Sequence, residues 1–322
     1  MATAEQVKAL IRSFCDENTE RFRTVALQIA AHEAKQGHDT LATDIRDLIE
    51  RERRKATPKI IPFPQDLSNL VSVESSAVLK SSLVISHELG KRIERIIHEY
   101  RNRERLKAYG HGHRRKILLA GMPGTGKTMT AKVLAHELKL PLNTIQFDRL
   151  ITKFMGETSA KLRQIFELIG TQLGVYLFDE FDAIGGERSL DNDVGEMRRV
   201  LNSFLQFIEQ DTSDSLIIAA TNNPRLLDQA LFRRFDDVLH YALPNETERR
   251  QLMENVLGTF LGKRFVWKKI VDESESLSHA EINHACRDSI KTAILSDNDT
   301  VTATLLLQTI HERQETKSGK IE

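Results

Sequence analysis

The chain has 322 residues, of which 40% are hydrophobic and 29% are charged, a composition typical of a folded protein large enough for two domains. Its 46 lysines and arginines balance 46 aspartates and glutamates, so no overall positive field attracts nucleic acid or anionic lipid. The two cysteines, Cys15 and Cys286, match no disulfide or zinc-module spacing. The start of the chain has no apolar signal core, and no apolar run is long enough to span a bilayer. We therefore expect a cytoplasmic protein without a membrane partner.

Residues 1–57 lack proline and carry apolar residues at helical spacing, which predicts an N-terminal element of two or three helices. Three prolines follow at positions 58, 62 and 64. Because each proline restricts its own backbone and that of the residue before it, residues 58–82 are interpreted as an extended linker. The N-terminal element is either a small cap or oligomerisation element, or a docking module for a partner or substrate. Its residues leave both alternatives open.

From position 83, apolar strands alternate with helical segments; the strands read KILLAG, LNTIQF, VYLFDE, SLIIAAT and DVLHYAL. This alternation predicts an α/β fold in which helices flank a parallel sheet. Beyond Pro244 only helical patterns follow. The sequence therefore predicts an α/β domain over residues 83–244 and a helical domain over residues 245–322.

A glycine-rich sequence lies between the strand KILLA and the next helix. It consists of Gly121, Met122, Pro123, Gly124, Thr125, Gly126, Lys127 and Thr128, and the helix continues with Met129. The pattern is GxxxxGK[ST], in the strand–loop–helix context that a phosphate-binding loop requires. Glycines let backbone N–H groups converge on phosphate oxygens, while Lys127 supplies positive charge and the Thr128 hydroxyl can bind Mg²⁺. The pattern predicts a nucleotide-binding site.

Two carboxylates, Asp179 and Glu180, end the apolar strand VYLFDE. Ligands of α/β sheets bind at the carboxyl ends of the strands, so this pair is expected beside the phosphate-binding loop. In that position Asp179 would hold Mg²⁺ and Glu180 would orient the attacking water. Together the two motifs predict nucleotide hydrolysis.

At this point the sequence resembles the AAA+ ATPases, and among them the AAA clade of proteasomal, membrane-protease and microtubule-severing motors. Further matches are residues 218–224 (IAATNNP) and 227–236 (LDQALFRRFD), and the resemblance covers roughly residues 83–295. It implies a P-loop NTPase fold of the AAA+ type whose C-terminal helical domain is a lid. It also implies ATP and Mg²⁺ as cofactors and ATP hydrolysis as the reaction.

The resemblance implies roles for three polar side chains. Asn222 corresponds to sensor 1, which holds the lytic water between Glu180 and the γ-phosphate. Arg233 and Arg234 correspond to arginine fingers that reach the neighbouring subunit's nucleotide. The family usually separates these arginines by two residues, and here they are adjacent. Which of the two touches the phosphate is therefore open.

Two further segments resemble the clade. Residues 153–157 (KFMGE) match its pore loop, which implies that Phe154, Met155 and Gly156 grip a polypeptide. Residues 278–282 (SHAEI) match the start of its sensor 2 helix, with Ala280 near the nucleotide. The absence of an arginine there is a feature that the clade shares.

The combined interpretation is a hexameric ring that uses ATP to remodel or unfold protein substrates. A regulatory switch that controls a partner, for instance a separate protease, is the alternative. A nucleic-acid motor is disfavoured by the balanced charge and by an apolar pore loop. The sequence contains no HExxH motif, so degradation of a substrate would need a partner protease, and an adaptor is a further possible partner.

Overall fold

The structure, a computed structural model, describes residue 8 and residues 19–36, 38–54, 70–150, 155–181, 191–224, 229–262 and 265–318. The chain divides into two compact units, residues 1–59 and residues 60–322.

The first unit contains helices α1 (Thr19–Lys35) and α2 (Asp39–Arg54), which pack against each other. Val25, Ile29, Ala30 and Ala42 are buried between them. At the end of α1 the Glu33 carboxylate is almost fully buried and accepts a hydrogen bond from His38 Nδ1 at 2.6 Å. Both helices lie within the N-terminal helical element that the sequence predicts.

The second unit is built on a twisted sheet that has six strands in the described part of the chain. The strands are β1 (Val71–Glu74), β2 (Lys116–Gly121), β3 (Leu142–Gln146), β4 (Val175–Asp179), β5 (Leu216–Thr221) and β6 (Asp237–Tyr241). Their order is β1-β3-β4-β5-β2-β6. All pairs are parallel except β1–β3, which is antiparallel. The order places β5 between β4 and β2, at the centre of the sheet.

Strand β1 corrects the prediction that residues 58–82 form a linker throughout. It pairs with β3 in a register that aligns Val71 with Ile145 and Glu74 with Leu142. Val71 is buried, whereas Ser72 and Glu74 are exposed, so the segment alternates as an edge strand does. The prolines just before it favour an extended linker, and four residues are too few for the alternation of buried and exposed side chains to indicate a strand.

Helices lie on both faces of the sheet. The described helices of this part are α3 (His87–Arg101), α4 (Arg103–Ala108), α5 (Lys127–Leu138), α6 (Phe147–Leu150), α7 (Met155–Thr171), α8 (Asp191–Gln210) and α9 (Gln229–Phe232). One face carries α7 and α8 over a cluster of aromatic rings that includes Phe147, Phe178 and Phe204. The other face carries α3 and α5 over the aliphatic residues of β2, β4 and β5. The strands are therefore buried on both sides, as a parallel sheet requires.

The C-terminal part is helical, as the sequence predicts: α10 (Glu246–Leu257), α11 (Trp267–Glu273), α12 (His279–Leu295) and α13 (Ala303–Ser318). Its core includes Met253, Ile282 and Ile310. Cys286 is a free, buried cysteine of this core, and burial raises the pKa of its thiol to about 12. The predicted α/β fold with a helical C-terminal lid is confirmed. Among the described helices, none has the length and apolar character needed to cross a membrane.

Candidate active site

The sequence-predicted polar residues meet at the carboxyl edge of the sheet. Gly121 ends β2, Asp179 ends β4, and Asn222 directly follows β5. Because β4, β5 and β2 are neighbours and parallel, these three positions lie side by side at one edge. This edge is where open α/β sheets bind ligands.

The loop after β2 has a backbone that depends on its glycines. Gly124 and Gly126 have φ angles of +74° and +103°, in a region that L side chains rarely adopt. Gly126 is also the N-cap of α5. A Cβ atom on Gly121 would overlap the backbone of Tyr241 on the adjacent strand. The loop therefore presents backbone N–H groups at the start of a 12-residue helix, the arrangement that binds phosphate.

The side chains of Lys127 and Thr125 donate hydrogen bonds to backbone carbonyls of the loop. The Lys127 ammonium donates hydrogen bonds to the carbonyls of Gly121 at 2.7 Å and Met122 at 2.8 Å. The Thr125 hydroxyl donates to the same Met122 carbonyl at 2.7 Å. Lys127 is 7% exposed, so its positive charge is concentrated within the loop. Met122 and Pro123 are exposed on the loop's outer side.

Thr128 and Asp179 form the contact that fits a metal. The Thr128 hydroxyl donates to Asp179 Oδ2 at 3.1 Å, across from α5 to the end of β4. A hydroxyl and a carboxylate are hard oxygen donors of the kind that Mg²⁺ prefers. The other carboxylate oxygen, Oδ1, accepts a hydrogen bond from the Glu180 backbone N–H at 3.0 Å. Asp179 is thereby oriented from both sides, and the pair fits a magnesium site.

Glu180 and Asn222 follow adjacent strands. Glu180 is exposed and has a φ of +56°, a sparsely populated conformation for a residue other than glycine. Such backbone conformations concentrate at functional sites. Asn222 is half-buried, next to Thr221, whose hydroxyl accepts a hydrogen bond from the Asn223 backbone at 3.1 Å. The structure thus places both residues at the edge where the phosphate-binding loop lies.

The helical C-terminal part contacts the loop directly. The Ala280 N–H donates to the Gly124 carbonyl at 3.0 Å. A Cβ atom on Gly124 would lie 2.7 Å from Ser278 Oγ and 3.0 Å from Ala280 Cβ. The first turn of α12 is therefore packed on the glycine of the loop, which places Ala280 beside the site as the resemblance implies.

His279 is a residue that the sequence analysis did not select. It lines a cavity of about 60 Å³ together with Thr125, Ile85 and Leu89. Burial lowers the pKa of His279, and the Val84 backbone opposes this effect. The signal was present in the sequence, because His279 lies within residues 278–282, the segment that resembles the start of the clade's sensor 2 helix.

The Tyr241 hydroxyl links the edge strand β6 to α5, the helix that follows the phosphate-binding loop. The Tyr241 hydroxyl donates to Thr130 Oγ1 at 2.7 Å, and Thr130 Oγ1 in turn donates to the Gly126 carbonyl at 3.1 Å. Burial raises the pKa of Tyr241 well above its usual range, so the phenol stays protonated. This chain of hydrogen bonds fixes β6 against the loop.

Arg233 and Arg234 lie at the other end of the sheet. They precede β6 in the sequence. Asp237, the first residue of β6, pairs with Ile117 near the start of β2, and Tyr241, the last, pairs with Gly121. A strand of this length spans about 13 Å, so the arginines are at the amino edge and the loop is at the carboxyl edge. Arg234 forms an ion pair with Glu209 of α8. Arg233 is exposed and makes no hydrogen bond or ion pair with any described residue.

The predicted pore loop is only partly described. Lys153 and Phe154 lie outside the described residues. Met155 and Gly156 are the first residues of α7 and belong to its helical turn rather than to a loop.

The strand order, the phosphate-binding loop and the carboxylates at the strand ends define a P-loop nucleotide-binding protein with a helical lid. A profile of the "ATPase family associated with various cellular activities (AAA)" matches residues 117–243. An uncharacterized AAA family ATPase of Sinorhizobium fredii is 34% identical over 308 residues, 92% of this chain and 90% of that protein. The chain belongs to the AAA family of ATPases. It binds ATP and hydrolyses it.

Two other similar proteins come from Methanothermobacter thermautotrophicus. A putative 26S proteasome regulatory subunit homologue is 34% identical over 262 residues, 79% of this chain and 69% of that protein. A proteasome-activating nucleotidase is 33% identical over 195 residues, 58% of this chain and 47% of that protein. These likenesses agree with the clade that the motifs indicated.

Proposed function

We propose that ATP hydrolysis here depends on Mg²⁺ held by Thr128 and Asp179. The observation that carries this proposal is the 3.1 Å contact between the Thr128 hydroxyl and Asp179 Oδ2, beside a loop with a buried lysine. Bound Mg²⁺ would neutralise charge on the β- and γ-phosphates. Lys127 then contributes a second positive charge at the same oxygens.

In this proposal, Glu180 orients and polarises the water that attacks the γ-phosphate, and Asn222 holds that water. The positions of both residues support these roles, because they follow the neighbouring strands β4 and β5 at the phosphate edge. The backbone of Glu180, with its φ of +56°, turns the chain sharply after the metal-binding Asp179.

The same proposal assigns the arginine finger to Arg233 and requires an oligomer. The arginines lie at the sheet edge opposite the phosphate-binding loop, so they cannot serve the nucleotide of their own chain. Arg234 is engaged by Glu209, whereas Arg233 is exposed. A finger supplied by a neighbouring copy would stabilise transition-state charge and make hydrolysis depend on assembly. We infer a closed ring, most simply a hexamer.

The work done by this ring is proposed to be the remodelling or unfolding of protein substrates in the cytoplasm. The substrate would be gripped by a pore segment of Phe154, Met155 and Gly156, the last two of which begin α7. The names of the relatives support it, since two of them are a proteasome regulatory subunit homologue and a proteasome-activating nucleotidase. A partner protease or an adaptor would then act on or deliver the substrate. The balanced charge of the chain disfavours nucleic acid as the substrate.

The experiment compares Phe154→Ala with Lys268→Ala, which removes an exposed side chain of α11 outside the pore segment. Unfolding is followed by loss of fluorescence of a green fluorescent protein with an unstructured tail, and ATP turnover is measured in parallel. The proposal expects Phe154→Ala to lose unfolding while it retains ATP turnover, and Lys268→Ala to retain both. Equal unfolding by Phe154→Ala and the wild type would contradict a threading motor and favour a regulatory switch.

A further inference from the structure

The contact between the lid and the phosphate-binding loop depends on a short backbone segment that starts α12. The Ala280 N–H points to the Gly124 carbonyl at 3.0 Å, and Ser278 packs against the same glycine. There is no space for a side chain at Gly124, so a shift of this segment changes the shape of the loop. Residues 278–280 therefore contact the backbone of the phosphate-binding loop directly.

A reciprocal cap fixes the conformation of that segment. The Glu281 N–H donates to Ser278 Oγ at 3.3 Å, and the Ser278 N–H donates to Glu281 Oε2 at 2.6 Å. This is a capping box, which satisfies two backbone donors at the start of α12. Glu281 thus holds the turn that presents Ala280 to the loop.

A lysine from another helix holds the same turn. Lys317 Nζ lies 3.5 Å from Glu281 Oε2 and donates a hydrogen bond to the Ser276 carbonyl at 2.6 Å. The side chains of Glu281 and Lys317 are 28% and 39% exposed, so the pair is partly shielded from water. The Lys317 ammonium therefore contacts Ser276, before Ser278 in the sequence, and Glu281, after it.

The packing of α13 along α12 explains why Lys317 reaches this turn. The two helices contact each other along their length through the Ser289–Thr309 hydrogen bond and the Asp288–Arg313 ion pair. Because the chain reverses between the helices, the last turn of α13 lies beside the first turn of α12. Lys317 is the basic residue of that last turn.

The charge of Glu281 agrees with this arrangement. Burial raises the pKa of the Glu281 carboxyl, but hydrogen bonds from Ser278 and the Lys317 ammonium outweigh burial and hold the pKa below its usual value. The carboxylate is therefore ionised at neutral pH and can attract Lys317 while it caps the helix.

We propose that Glu281 and Lys317 are positioning residues for ATP: their ion pair holds the first turn of α12 against Gly124 and so keeps the phosphate-binding loop in its binding conformation. Neither residue touches the reacting atoms. The effect of losing the pair is on the binding of ATP rather than on the chemical step, because Glu180 and Asp179 are held by the sheet. The pair is partly exposed, so the effect is moderate.

The test is the ATP hydrolysis of the full chain, with KM and kcat measured for Lys317→Met, Glu281→Gln and the double variant. Glutamine keeps the cap and removes only the charge. We expect Lys317→Met to raise the KM for ATP about three- to fivefold, the range of a partly exposed ion pair, with kcat changed less than about twofold. The double variant should raise the KM by less than the product of the two single effects, since the two side chains share one ion pair.

Two controls make the result specific. Lys317→Arg keeps the charge and should restore the KM to near the wild-type value. Lys291→Met removes an exposed lysine that pairs with Asp288 farther along α12, at 3.0 Å, and should leave the KM unchanged. An unchanged KM in Lys317→Met, even with a lower melting temperature, would overturn the proposal and leave a purely structural ion pair. Additive effects in the double variant would overturn it as well.

Discussion

Gly124→Ala tests the contact between the lid and the phosphate-binding loop. Gly124 has a φ of +74°, and an alanine in the left-handed region costs about 1–2 kcal/mol. Its Cβ would lie 2.7 Å from Ser278 Oγ and 3.0 Å from Ala280 Cβ, so the first turn of α12 must move away. That movement breaks the hydrogen bond from Ala280 to Gly124, worth about 1 kcal/mol. The sum predicts a loss of about 2–3 kcal/mol in the free energy of unfolding.

The assay is urea unfolding, with Gly90→Ala as the matched control. Gly90 lies in α3, has no atom within 4 Å of an added Cβ, and has no positive φ. Alanine should therefore stabilise the protein at position 90 by about 0.5–1 kcal/mol. ATP affinity is measured on both variants, and only Gly124→Ala should weaken it. A Gly124→Ala variant that unfolds at the wild-type urea midpoint and binds ATP normally would refute the packing of α12 on the loop.

Three further predictions follow from single side chains. Glu180→Gln should bind ATP as the wild type does and lose at least about 100-fold in turnover, because a carboxylate that polarises water contributes about that much; brisk hydrolysis would contradict its role. Tyr241→Phe removes the hydrogen bond to Thr130 at 2.7 Å and should lower the free energy of unfolding by about 1 kcal/mol, measured in urea; an unchanged value would show that the hydroxyl does not stabilise the fold. His113 is 6% exposed, and burial lowers its pKa although Asp214 opposes the shift. Because the unfolded state then binds the proton more readily, stability should fall as pH drops below about 6.5, and His113→Phe should flatten that fall; parallel curves of stability against pH would exclude His113 as its source.

The phosphate-binding loop and the two carboxylates were predictable because their chemistry requires fixed residue types at fixed spacing. The loop needs glycines where φ is positive, as at Gly124 and Gly126. The position of Asp179 follows from the parallel sheet, since any residue that ends β4 must lie at the carboxyl edge. These are local rules that a single sequence displays.

Other features depend on contacts between distant segments. Helix α3 was not predicted, although Leu89, Ile93 and Ile96 lie at helical spacing and face the sheet. Strand β1 is too short for its alternation to stand out, and its pairing with β3 is what makes it a strand. The ion pairs Arg234–Glu209 and Lys317–Glu281 join residues far apart in the sequence. Their spacing does not predict that they are in contact. Only the folded chain shows them.

In the proposed ring, a neighbouring copy completes the ATP site through Arg233. The most direct measurement mixes two variants that are each expected to be inactive, Glu180→Gln and Arg233→Ala, and follows ATP hydrolysis. In a mixed ring, an Arg233→Ala subunit keeps its Glu180 and receives an intact arginine from a Glu180→Gln neighbour. Random mixing should therefore restore up to about a quarter of the wild-type rate. A mixture as inactive as its two components would contradict a site that is shared between copies of the chain.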